Sequence, residues 1–230
     1  MAGDEFELEV ATEAELASLT DTVRQTLMAC IETAPPAERP VVRLFPLSAL
    51  ANHDHVVGSE TRRQRIQTLF RERLSGVGGA TTDDGVWIYV DTAVDGHREA
   101  LANAVAHEYA HARRHVSTSR LADRLVDEGL AQCFEAAITD QQPPQTEWAT
   151  VADAERLLQA VVDRIESRDP AVHRRVLYGS FDDNDVFVPG AGYVLAHEVV
   201  ARSGLTSEHP WSTALSTPTH RFFEETTFPP

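Results

Sequence analysis

The chain has 230 residues, 42% of them apolar, which is enough for one substantial core or two small ones. Its 36 acidic residues face 20 basic ones, all arginine, and the net charge of -16 argues against a partner gripped by its phosphates. Cys30 and Cys133 are too few for a disulfide framework, and no window approaches a membrane span. The acidic start, Met1 to Glu7, lacks the apolar core of a secretory signal, so the chain is expected in the cytoplasm, with neither nucleic acid nor membrane as a partner.

In chain order, residues 1–11 read as a loose polar N-terminus or a short edge strand. Thr12 and Glu15 have capping-box spacing, and Leu16, Leu19, Val23, Leu27 and Ile31 recur as the buried face of a helix that ends before Pro35. Val41 to Phe45 reads as a strand, and 46–58 as a loop carrying His53, Asp54 and His55. That trio reads as a solvent-facing polar segment, with metal binding as the sharper alternative. A helix over about 60–74 turns Ile66, Leu69, Phe70 and Leu74 inward, and Gly76, Gly78 and Gly79 read as a turn. Val86-Trp87-Ile88-Tyr89-Val90 is a strand whose lack of alternation implies burial on both faces, or one face against a cleft. Helices are expected over about 98–115, 120–138, 151–167 and 190–202, with Asp182, Asp183 and Asp185 in a polar loop and an irregular tail over 204–230.

The stretch His107-Glu108-Tyr109-Ala110-His111 carries the chemistry. Histidines four apart share one face of a helix, so both imidazoles can reach one ion, and Glu108 stands beside them to act on a water. This is the H-E-x-x-H arrangement of zinc peptidases. Catalytic zinc needs three protein ligands and an open position. In the following helix Leu121, Leu125, Glu128 and Gln132 recur on one face, which places the Glu128 carboxylate among apolar neighbours, where it requires a partner or a metal. Asp127 points about 100° away and fits less well. His115 lies too far along the axis to join one tetrahedral ion with His107 and reads as a surface histidine. Arg114 and Ser117 stand where a metzincin would have glycine and histidine. Asp123 and Glu135 are candidates to hold the ligating imidazoles.

Val105 to His111, followed by Val126-Asp-Glu-Gly-Leu-Ala131-Gln-Cys-Phe-Glu135, resembles a poorly characterised family of predicted zinc-dependent proteases and, more widely, the gluzincins. The resemblance covers about 85–200. It implies a single zincin-like domain over 1–230, α+β and mostly helical with a small mixed sheet. It implies His107, His111 and Glu128 as zinc ligands and Glu108 as general base. Gly192-Tyr193 matches a further family segment at the start of a helix. Tyr193 is then the first choice as oxyanion donor, with His197 one turn on as the alternate, and ordinary packing is the competing role for Tyr193. Trp87 and Tyr89 share a strand face and could line a subsite or pack a core, and the 86–90 strand could add an extended peptide if it has a free edge. The expected activity is hydrolysis of peptide or protein substrates. A zinc hydrolase acting on a non-peptide amide and a non-catalytic zinc-stabilised binding module are the alternatives.

Overall fold

The apolar run at 86–90 becomes one of the two inner strands of a four-stranded sheet. In the computed structural model, residues 5–53, 60–114, 119–179 and 187–225 are described. Strands β1 (Glu7–Val10), β2 (Val41–Pro46), β3 (Val77–Thr82) and β4 (Gly85–Val90) lie in the order β1-β2-β4-β3. β1 and β4 both run parallel to β2, and β3 pairs antiparallel with β4, so the sheet is mixed. The first segment is therefore an edge strand from Glu7 onward. Because β4 is paired on both sides, it has no free edge for a peptide, and the unpaired edges belong to β1 and β3 among the described residues.

The chain forms two compact units, Met1–Arg113 with Ile138–Asp140, and Arg114–Ala137 with Gln141–Pro230. In the first, α1 (Ala14–Ala17) and α2 (Thr20–Thr33) replace the continuous helix expected from Leu16 onward. Glu13, not Thr12, is the N-cap of α1 and makes no side-chain capping bond. A 3-10 helix at Leu47–Asn52 and α3 (Glu60–Arg73) follow β2. Leu47, Leu50, Phe70, Trp87 and Tyr89 form one buried cluster, with Phe45, Ile66 and Leu74 packed against it. Trp87 and Tyr89 are thus core residues, stacked on Phe45, with the Tyr89 hydroxyl 2.9 Å from His53 Nδ1. His53 is an aromatic-cluster residue rather than part of a solvated loop. Asp54, His55, His115, Asp182, Asp183 and Asp185 lie outside the described residues.

On the other sheet face Leu44 and Ile88 are fully buried. Each contributes about 1.5–3 kcal/mol by leaving water. Helix α4 (His97–Arg114) carries the H-E-x-x-H motif. Two bonds pin it near the end of α2: Tyr109 donates its hydroxyl to the Ala34 carbonyl at 2.6 Å, and Arg113 Nε donates to the Pro35 carbonyl at 2.7 Å.

The second unit is helical: α5 (Leu121–Thr139), α6 (Val151–Val161), α7 (Pro170–Tyr178), α8 (Ala191–Ser203), α9 (Leu205–Glu208), α10 (Trp211–Ala214) and α11 (Thr219–Glu225). Helix α8, with most of its length buried, is its centre and packs on α6, α7, α9 and α11. A reciprocal capping box between Thr150 and Asp153 starts α6, and Asp169 with Pro170 starts α7. α6 stops at Val161, short of the expected 167, and a 3-10 turn continues to Arg164. The segment read as irregular beyond 204 contains three short helices instead. The fold is α+β and mostly helical. Among the described residues, no helix is long and apolar enough to cross a membrane.

Candidate metal centre

Four residues of separation on α4 place the two imidazoles one above the other. Their Nε2 atoms are 3.2 Å apart, and the rings meet edge to face at 4.9 Å. Two zinc–nitrogen bonds of ordinary length at the tetrahedral angle put their nitrogens about 3.3 Å apart, so the pair has the spacing of one tetrahedral edge. His107 is buried, and His111 and Glu128 are half-buried. One ligand atom from each of His107, His111 and Glu128 lies within 4.8 Å of the other two. Two imidazoles and a carboxylate are a donor set suited to zinc, and the residues fit it.

Glu108, with 8% exposure, points to the sheet. Its Oε2 accepts a hydrogen bond from Thr81 Oγ1 at 2.9 Å. Consecutive residues of β3 face opposite sides. A Cβ on Gly78 would run into the Phe70 ring, and one on Gly79 would lie 2.9 Å from Glu108 Cδ. The two glycines are therefore strand residues that admit a ring on one face and the glutamate on the other, not the turn expected from their composition. From sequence Gly79 reads only as part of a turn and Thr81 does not stand out, since a Gly-Gly-Ala-Thr-Thr run has little strand signal.

In the second unit, the glycine after Glu128 has an equally local reason. A Cβ on Gly129 would overlap the Ala196 carbonyl of α8, lying 2.6 Å from its carbon. Gly192 packs α8 on α7 in the same way, since its Cβ would stand 2.6 Å from Leu177 Cα. Gln132, fully buried, ties α5 to α8: its Nε2 lies 3.3 Å from the Glu128 carbonyl and 3.2 Å from the Tyr193 carbonyl, donating to both. The Tyr193 ring stands edge-on to Trp148 at 5.3 Å and tilted to Tyr178 at 6.1 Å. His197 follows one turn on, with Nδ1 3.9 Å from Glu198 Oε1. Burial holds the His197 imidazole below its usual pKa, and the Glu198 charge opposes that shift.

The remaining acids have structural partners. Asp127 sits 3.7 Å from the buried Arg114 Nε. Burial lowers the pKa of that guanidinium, and Asp127 and Asp123 act against the shift. Arg114 also donates to the carbonyls of Leu215 and Thr217, both at 3.3 Å, so it anchors the C-terminal segment. Asp123 accepts from the Arg120 backbone at 3.1 Å and from its guanidinium at 2.7 Å, closing the start of α5. Glu135 is buried with 2% exposure.

The family described as "Predicted Zn-dependent protease (DUF2268)" matches residues 21–224. No curated protein and no solved structure matches the chain.

Proposed function

The chain belongs to this family of predicted Zn-dependent proteases, and on that premise we propose that it hydrolyses peptide bonds with a gluzincin-like ligand set. His107 and His111 would hold zinc through Nε2, and Glu128 through a carboxylate oxygen. When bound, zinc supplies a Lewis acid that polarises the scissile carbonyl and brings the pKa of a water toward neutrality. Glu108 takes a proton from the attacking water as its oxygen bonds to the carbonyl carbon. The same carboxyl then delivers that proton to the amine nitrogen as the C–N bond breaks. Tyr193 is the proposed donor to the oxyanion, with His197 as the alternate. An extended substrate would add to the unpaired edge of β3, where main-chain hydrogen bonds give affinity without regard to side chain.

The observation that supports this reading best is the clustering of ligand atoms from His107, His111 and Glu128 within 4.8 Å. Glu108 is next in sequence to the first ligand, and on an ideal helix it is rotated about 100° from it, which suits a base rather than a fourth ligand. The test is Glu108→Gln, which keeps the side chain's size and removes its basic oxygen. Zinc content and thermal unfolding should match wild type, while cleavage of a fluorogenic peptide library falls by roughly 10²-fold or more. Wild-type turnover in that variant would overturn the assignment of Glu108 as the base, whereas a wild-type protein that binds zinc and cleaves no peptide would favour a zinc-stabilised binding module.

A further inference from the structure

The seat of Glu108 on β3 has features that zinc ligation does not explain. Gly79 and Thr81 lie two apart, so both face α4. Gly79 leaves the space that the glutamate stem fills, its absent Cβ falling 2.9 Å from Cδ and 3.0 Å from Oε1. Thr81 Oγ1 stands 2.9 Å from Glu108 Oε2 and also 2.9 Å from the Glu108 backbone oxygen. A hydroxyl has one proton to donate. The backbone oxygen lies within α4, where an N–H one turn on is its helical donor. An ionised carboxylate is the stronger acceptor. The proton therefore goes to Oε2, and Oε1 remains for a water.

We propose that Thr81 is a positioning residue for the Glu108 base: its hydroxyl holds Oε2 so that Oε1 meets the attacking water in one orientation. The inference rests on the peptidase reading and deepens it. A glutamate side chain has several rotors, and a general base must be within hydrogen-bond reach of the proton it removes. A donor on a sheet strand fixes that geometry before substrate arrives.

The experiment compares Thr81→Val, Thr81→Ser and Thr82→Val with wild type, using the library peptide that wild type cleaves best. Thr82 is the control for general damage to the strand, because its hydroxyl accepts from Trp87 Nε1 at 3.1 Å on the opposite face. Thr81→Val should lower kcat by roughly 10- to 100-fold, the scale of a misplaced catalytic group, with KM and zinc content unchanged. Thr81→Ser should restore most of the loss, and Thr82→Val should turn over like wild type. If the valine variant does not fold, Thr81→Ala removes the same hydroxyl with less bulk. Crystal structures give a readout independent of activity: one Glu108 conformer bonded to Thr81 in wild type, and a displaced or divided carboxylate in the variant. An unchanged kcat, or a carboxylate that stays in place without the hydroxyl, overturns the proposal. Neither result touches the assignment of Glu108 as the base, which falls only if Glu108→Gln retains full turnover. If wild type cleaves no library member, the crystallographic comparison decides.

Discussion

Gly129 and Ala196 cross so closely that a Cβ on the glycine would lie 2.6 Å from the Ala196 carbonyl carbon, in the space its oxygen occupies. The group in the way is backbone and cannot rotate aside. In an exposed helix, alanine for glycine gains about 1 kcal/mol. Here overpacking costs about 1–3 kcal/mol, so the steric effect wins. Gly129→Ala is expected to lower the urea midpoint. A midpoint equal to or above that of wild type would show that α5 and α8 separate without strain.

The proposed centre predicts a particular order of metal losses. Purified protein should carry about one zinc per chain by elemental analysis, as a site of three protein ligands requires. His107→Ala and His111→Ala should each remove most of it, and Glu128→Gln should weaken it, with activity falling in step with occupancy. Asp127→Asn should retain zinc, because that carboxylate faces Arg114. Full occupancy in both histidine variants would refute the centre. Loss of zinc in Asp127→Asn with Glu128→Gln fully loaded would move the third ligand by one residue.

The start of α5 should be sensitive to acid. Burial alone would raise the Asp123 carboxyl, but hydrogen bonds from Arg120 and Thr219 outweigh it and hold the pKa below the usual carboxylate range. A depressed folded pKa contributes stability that is complete above the unfolded value, near 4, and is lost as pH falls through the folded value. Asp123→Asn should therefore destabilise the protein at pH 7, and the difference from wild type should shrink below about pH 4. Denaturant titrations of both proteins from pH 7 to pH 3 test this. A difference independent of pH would assign the effect to packing instead.

Features that depend on neighbours in sequence are legible in the chain itself. The common face of His107 and His111 follows from helical geometry over four residues, and the burial of Val86 to Val90 follows from an unbroken apolar run. The apolar periodicity that marks a helix over 120–138 is α5, displaced by one residue at each end. Other features depend on groups distant in sequence. Val77-Gly-Gly-Ala-Thr-Thr has the composition of a turn, and it is a strand because β4 supplies its hydrogen bonds while Phe70 and Glu108 fill the space its glycines leave. The pairing of Asp127 with Arg114 is equally hidden, since helical phase alone does not identify its partner. Helical periodicity determined which side chains could share a face. Only the tertiary packing decided which backbone would lie beneath Glu108, because a glycine shows what it makes room for only when the neighbour that fills the space is in place.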